Sequence, residues 1–124
     1  MTDPRPMPIP DRLAGRQLAL RAIMDGRGLD AVILSSLPSL AHYGGLGSGD
    51  ASCLLVVTAR EARLAWPGHP PGIWAEATAL LPDNCALGHE DDVPADALAA
   101  VQRLRRPRRL ISISADIARQ IAEG

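Results

Sequence analysis

Hydrophobic positions along this chain change their period several times, and each change marks an element. From Asp11 to Arg27, Leu13, Leu20, Ile23 and Met24 recur on one face at helical spacing, with Gln17 intruding on the stripe. Asp11 is suited to cap that helix and Gly28 to end it in the left-handed conformation. Ala31-Val32-Ile33-Leu34 is an unbroken apolar run, too short for a helix and bounded by Asp30 and Ser35-Ser36, as in a strand covered on both faces. Ser52 to Thr58 has the same character, whereas Glu61 to Trp66 alternates. Only Ala59-Arg60 separates these two, which predicts an antiparallel hairpin. Cys85-Ala86-Leu87 and Leu110 to Ile113 are the remaining strand candidates.

Helical spacing returns between them. Ile73, Trp74, Ala77, Leu80 and Leu81 share a face, and Ala97, Leu98, Val101 and Leu104 repeat the pattern after Pro94, a residue suited to a first helical turn. Ser114 then caps a last segment in which Ile117 and Ile121 align. The order is helix, strand, short helix, hairpin, helix, strand, helix, strand, helix. Strands interleaved with helices predict a three-layer α/β domain with a mixed sheet of about five strands, the hairpin supplying its antiparallel part. Pro4, Pro6, Pro8 and Pro10 remove backbone donors, so residues 1–10 are expected to form a flexible arm and residues 11–124 the domain.

Composition narrows the chemistry. With 124 residues, 47% of them hydrophobic, and a net charge of -1, the chain is an ordinary globular domain that needs no disulfide or metal to hold a core. All its basic residues are arginine, which removes Schiff-base and lysine-dependent phosphate chemistry. The densest run, Arg103 to Arg109, reads as a solvated helix end. With Tyr43, Trp66 and Trp74 as the aromatics, the stacking platforms of single-strand binders are missing, and no nucleic-acid partner is expected. No segment has the length of a membrane span and the start lacks a signal-type apolar region, so a cytoplasmic protein with no membrane partner is expected. Cys53 and Cys85 sit in separate apolar runs, as buried thiols do.

Three groupings invite a functional reading. Gly44-Gly45-Leu46-Gly47-Ser48-Gly49 has the small residues of a phosphate loop, but it precedes a strand where a dinucleotide fingerprint would follow one and open a helix. Structural turning is the better reading. His69, and His89 with Asp91 and Asp92, carry metal-ligand chemistry, yet neighbours on one loop splay apart and acids beside Pro94 suit a helix start. No metal, cofactor or catalytic residue is assigned to them. The serines lack the G-x-S-x-G context of a nucleophile elbow.

The residues do carry a family resemblance. Arg16, Arg21, Met24, Arg27-Gly28-Leu29-Asp30-Ala31, the strand ending in Ser35-Ser36, Pro38 with His42-Tyr43-Gly44-Gly45-Leu46, then Leu54 to Thr58 and Trp66-Pro67 together resemble the amino-terminal domain of the creatinase, prolidase and aminopeptidase P group. Met24-x-x-x-Gly28-Leu29-Asp30-Ala31 is similar to that family's lead into its first strand. The aromatic that usually closes the turn motif is Leu46 here, and Gly44 stands where a larger residue is common. The resemblance implies an RNase H-like α/β domain that precedes a separate catalytic domain, and it is that absent domain which would hold the two divalent metal ions. It further implies a non-catalytic role in oligomer assembly and active-site access, with the chain's own catalytic domain and further copies of itself as partners. By the same analogy His42, Tyr43 and Trp66 are the positions expected nearest a substrate. The parent protein would be a metal-dependent C–N hydrolase, this chain alone being inactive. The alternative is a free-standing α/β module that binds a peptide or small ligand.

Overall fold

A computed structural model describes residues 9–45, 53–68 and 74–123, with side chains from residue 12 onward. Its first helix, α1, runs Ile9–Arg27. It therefore starts two residues inside the expected arm, because Pro10 falls in the first turn, where a missing N–H costs nothing. Asp11 consequently lies inside the helix and does not precede it. The other end follows expectation: Gly28 has φ +68°, its N–H reaches the Asp25 carbonyl at 3.1 Å, and the Leu29 N–H reaches the Met24 carbonyl at 2.8 Å. These are the two bonds of a Schellman motif, completed by burial of Met24 and Leu29 in one cluster.

The strands are β1 (Ala31–Leu34), β2 (Leu54–Thr58), β3 (Ala62–Ala65), β4 (Ala86–His89) and β5 (Arg109–Ser112), and the remaining helices are α2 (Leu37–Gly44), α3 (Ala75–Leu80), α4 (Ala95–Arg105) and α5 (Ser114–Glu123). One sheet of order β3-β2-β1-β4-β5 results. β1, β4 and β5 run parallel, while β2 pairs antiparallel with both β1 and β3. The fold is thus α/β with a mixed five-stranded sheet flanked by helices.

Alternation along the strands divides the core in two. Ala31, Ile33, Leu54, Val56, Ala65 and Leu87 face α3 and α4, with Ala77, Ala97 and Val101 packed on them. Val32, Leu34, Leu55, Val57 and Ala86 face the other way, onto Leu20 and Met24 of α1, Leu40 and Tyr43 of α2 and Ile117 of α5. Both faces of β1 are therefore buried, which explains its unbroken apolar run. Gly88 leaves no room for a side chain: a Cβ there would stand 2.8 Å from Leu29 Cδ1 and 3.2 Å from both Val32 Cγ1 and Ile113 Cγ2. Among the described residues no helix is long and apolar enough to cross a membrane.

Some side chains are used differently from their sequence expectation. Gln17 intrudes on the α1 stripe for a reason, since its Nε2 donates to the Tyr43 carbonyl at 2.8 Å. Trp74 does not continue α3 but precedes it, buried at φ +54°, with its indole N–H donating to Asp96 at 3.2 Å. Ser114 accepts the Asp91 N–H at 2.7 Å. Leu104 is 48% exposed, and Ala100 is the buried residue in its place.

Candidate functional site

Parallel β1 and β4 lie side by side, yet β1 leads into α2 on one face and β4 into α4 on the other. Crevices outside the carboxyl ends of strands open at such a switch point, and ligands of open α/β sheets use them. Here the position is filled from within by Glu90, the residue that follows β4. It is only 5% exposed. Its Oε1 accepts the N–H groups of Ser35 at 2.8 Å and Ser36 at 3.0 Å. Its Oε2 accepts the hydroxyls of Ser36 at 2.9 Å and Ser39 at 2.8 Å.

The local sequence explains the arrangement. Ser36 is the N-cap of α2, and its Oγ accepts the Ser39 N–H at 3.2 Å. A capping box would place Glu or Gln at Ser39 and return its carboxylate to the cap's own N–H. Glu90 performs that half of the box from another strand, and its charge faces the positive end of the helix. Asp92 extends the arrangement by accepting the Ser35 hydroxyl at 2.6 Å, and Asp91 accepts that of Ser112 at 2.5 Å. These acids therefore tie strand ends together, where the sequence suggested only charges near the α4 start.

Beside Glu90, an open cleft of about 320 Å³ runs between the start of α2 and α5, lined mainly by Pro38, Ile117, Ala118, Ile121 and Ala122. Chemically, this corner is built to hold the β1–α2 connection in place. Four donors occupy the four acceptor positions of Glu90, leaving none directed at a substrate proton. Among the described residues no three His, Cys, Asp or Glu side chains gather around a point where a metal ion could sit. His89, beside Asp91 and Asp92 in sequence, turns its Nδ1 to the Glu90 carbonyl at 2.9 Å. His69 lies outside the described residues.

The three positions expected nearest a substrate have different surroundings. Tyr43 is fully buried, and its hydroxyl donates to Gln120, whose own amide donates to the Ala19 carbonyl at 3.0 Å. Burial, reinforced by the Glu90 charge, pushes the Tyr43 phenol up to about 12. His42 is half-buried, with its ring edge-on to that of Tyr43 at 4.6 Å between centroids. Burial and then Arg16 hold its pKa below the usual histidine value, which favours the neutral ring. Trp66 is on another element, just past β3 and 46% exposed, its backbone N–H held by Glu76 at 2.8 Å. His42 and Tyr43 are thus brought together, and Trp66 stands apart from their ring contact.

Of the glycine run, Gly45 caps α2 at φ +69°, where a Cβ would also stand 2.8 Å from Leu13 Cδ1, while Leu46 to Gly49 lie outside the described residues. Cys53 and Cys85 are buried as expected, but on opposite faces of the sheet and each just before its strand. Burial raises both thiol pKa values.

Glu90 escaped sequence reasoning because Glu90-Asp91-Asp92 has the look of a solvated acidic run. Two signals pointed to it. Alternation through Ala86 and Gly88 carries position 90 to the α2 side of the sheet, and Ser36-x-x-Ser39 is a helix start whose N3 position lacks the acid of a capping box.

No protein-family model matches this chain, and no curated protein matches its sequence. Solved structures do match its fold. A Creatine_N superfamily domain of a dipeptidase from Streptococcus thermophilus superposes with a TM-score of 0.67 at 14% identity, covering 84% of this chain and 96% of that one. An Xaa-Pro aminopeptidase structure from Streptococcus pyogenes gives 0.63 at 17% identity, with 90% and 99% covered. The prolidase from Pyrococcus horikoshii gives 0.62 at 14% identity, where 88% of this chain corresponds to 34% of the prolidase. The chain therefore has the fold of the creatinase/prolidase N-terminal domain, and it spans about a third of the length of that larger structure.

Proposed function

We propose that this chain is the non-catalytic amino-terminal domain of a creatinase-like or Xaa-Pro peptidase-like metallohydrolase, serving oligomer assembly and access to an active site carried by another domain. The observation that supports this most is the two-way extent of the fold match, 84% of this chain against 96% of a dipeptidase domain that stands as a structure by itself. The Glu90 corner fits the same reading, because its polar groups are spent on holding α2 in place. In the access role, Tyr43 fixes the His42 ring from within and Trp66 supplies exposed aromatic surface.

The test has two arms. Purified 1–124 supplied with Mn²⁺ and Xaa-Pro dipeptides is expected to show no turnover, and metal-dependent hydrolysis by it would contradict the proposal. In a parent enzyme carrying the catalytic domain, Trp66→Ala and His42→Ala are expected to raise KM with little change in kcat. A free-standing module for a peptide or small ligand is the second reading, favoured by the cleft between α2 and α5. Ligand-induced chemical-shift changes confined to Pro38, Ile117 and Ile121 would support it.

A further inference from the structure

We propose that the β3 edge of the sheet pairs with the β3 edge of a second copy of this chain, in an antiparallel register centred on Ala62. This deepens the assembly role proposed above by naming the surface. β3 is an edge strand, paired among the described residues only with β2. The Thr58 N–H donates to the Glu61 carbonyl at 2.9 Å, and Arg63 and Ala65 stand opposite Val56 and Leu54. Backbone groups of successive residues in a ladder point alternately toward and away from the partner strand. Ala62 and Leu64 therefore turn their N–H and C=O groups outward, a template for one more strand.

Where that strand can sit is limited at one end. Glu76 already holds the next outward N–H, that of Trp66. Identical edges meeting about a twofold axis can pair Ala62 with Ala62, Ala62 with Leu64, or Leu64 with Leu64. The last sets Ala62 against Trp66, whose N–H is taken, and Arg63 against Ala65, with no charge pair, and the second sets Arg63 against Arg63. The first sets Glu61 against Arg63 of the other copy twice over, its ladder resting on Ala62 because Leu64 then meets Arg60, whose N–H goes to the Thr58 hydroxyl oxygen at 3.3 Å. Both side chains are available for it, Arg63 being 66% and Glu61 48% exposed in a loose pair at 3.8 Å. Opposite charges directly across a strand pair stabilise it and like charges oppose it, so charge selects this register. The far edge lacks that self-complementarity, since β5 begins at Arg109, preceded by Arg108, with no acid in the strand.

A four-residue edge makes a small interface, so the dimer should be weak and should dissociate on dilution. Sedimentation of purified 1–124 across concentration tests it, with circular dichroism confirming the fold of each variant. Glu61→Arg and Arg63→Glu should each weaken the dimer about tenfold, and the double exchange should restore it. Ala62→Pro, which removes the donor on the axis while remaining compatible with an edge strand, should weaken it as well. A dimer indifferent to all four variants would overturn the β3 edge and leave assembly to another surface. A monomer at every concentration up to about 1 mM would overturn both the edge and the assembly role.

Discussion

The two ends of the parallel strands are fastened in opposite ways. At the carboxyl end a single buried carboxylate, Glu90, takes four donors from the β1–α2 connection. At the amino end several groups, most of them exposed, share the work. Arg105 donates to the Thr78 carbonyl at 2.7 Å, Arg108 to that of Asn84 at 2.9 Å and Arg109 to that of Arg27 at 2.7 Å, while Asp30 accepts the Ala86 N–H at 2.9 Å. A concentrated, dry fastening gives each bond weight but fails at one position. A distributed, wet one makes each bond weak and replaceable.

Glu90→Ala should accordingly have the largest effect on this molecule. It leaves the N–H groups of Ser35 and Ser36 and the Ser39 hydroxyl without their acceptor, while the Ser36 hydroxyl keeps Ser39 at 2.9 Å, in a corner where Glu90 itself is buried beside an open cleft, a loss of about 2–4 kcal/mol of unfolding free energy. Glu90→Gln should fall between that variant and the wild type, because its amide NH₂ would face donors on one side. Urea unfolding checks both. If Glu90→Ala costs less than about 1 kcal/mol, water is reaching the corner and the contrast between the ends disappears.

The next effect tests whether the dry end tolerates added volume. Gly88 in β4 leads directly to Glu90, and an added methyl would meet Leu29 Cδ1 at 2.8 Å with Val32 and Ile113 also close. Gly88→Ala should destabilise by about 1–3 kcal/mol through overpacking, despite the intrinsic gain of replacing glycine in a strand. A neutral or stabilising result would show that Leu29 simply rotates away.

How far these features were legible follows from what each depends on. The elements depend on local period and end chemistry, so β1, the β2–β3 hairpin and the Schellman end of α1 could be read from Ala31–Leu34, Ala59-Arg60 and Gly28-Leu29. The α1 start was misplaced because Pro10 is equally compatible with an arm and with a first turn. Spacing alone extends α3 to Trp74, which instead adopts a left-handed conformation that spacing does not reveal. Glu90 depends on a contact 54 residues away in sequence, with Ser36, and nothing local separates it from the solvated acids that follow. The expected substrate-proximal positions show the same limit: His42 and Tyr43 are adjacent in sequence, but only the packing of α5 shows that the tyrosine hydroxyl is already engaged.

Tyr43 offers a smaller and more specific probe of the dry end, because it senses the Glu90 charge. Its phenol is raised from 10.0 to about 12 in the folded state, first by burial and then by that carboxylate. A folded-state pKa above the unfolded one gives stability that is complete below pH 10 and lost as pH rises toward 12. Alkaline titration of unfolding free energy should therefore show a decline over this window. Tyr43→Phe should remove that component and cost about 0.5–1.5 kcal/mol at neutral pH through the lost bond to Gln120. An unchanged alkaline decline in the phenylalanine variant would assign it to other groups.

Arg108→Ala should have the smallest effect of the four, and it is the direct test of the wet end. The guanidinium pairs with Asp30 at 3.0 Å, but the two side chains are 59% and 45% exposed, so solvent already screens the interaction. Removing it leaves Asp30 with the Ala86 N–H and leaves the backbone bond from Asp30 to the Ala86 carbonyl, 2.8 Å, untouched. The Asn84 carbonyl that loses its donor is on an exposed residue and can turn to water. The cost should be at most about 1 kcal/mol and should shrink further in high salt. A loss above about 2 kcal/mol that persists in salt would mean that the amino end is also closed to water, and that the two ends differ in which residues they use and not in how they are held.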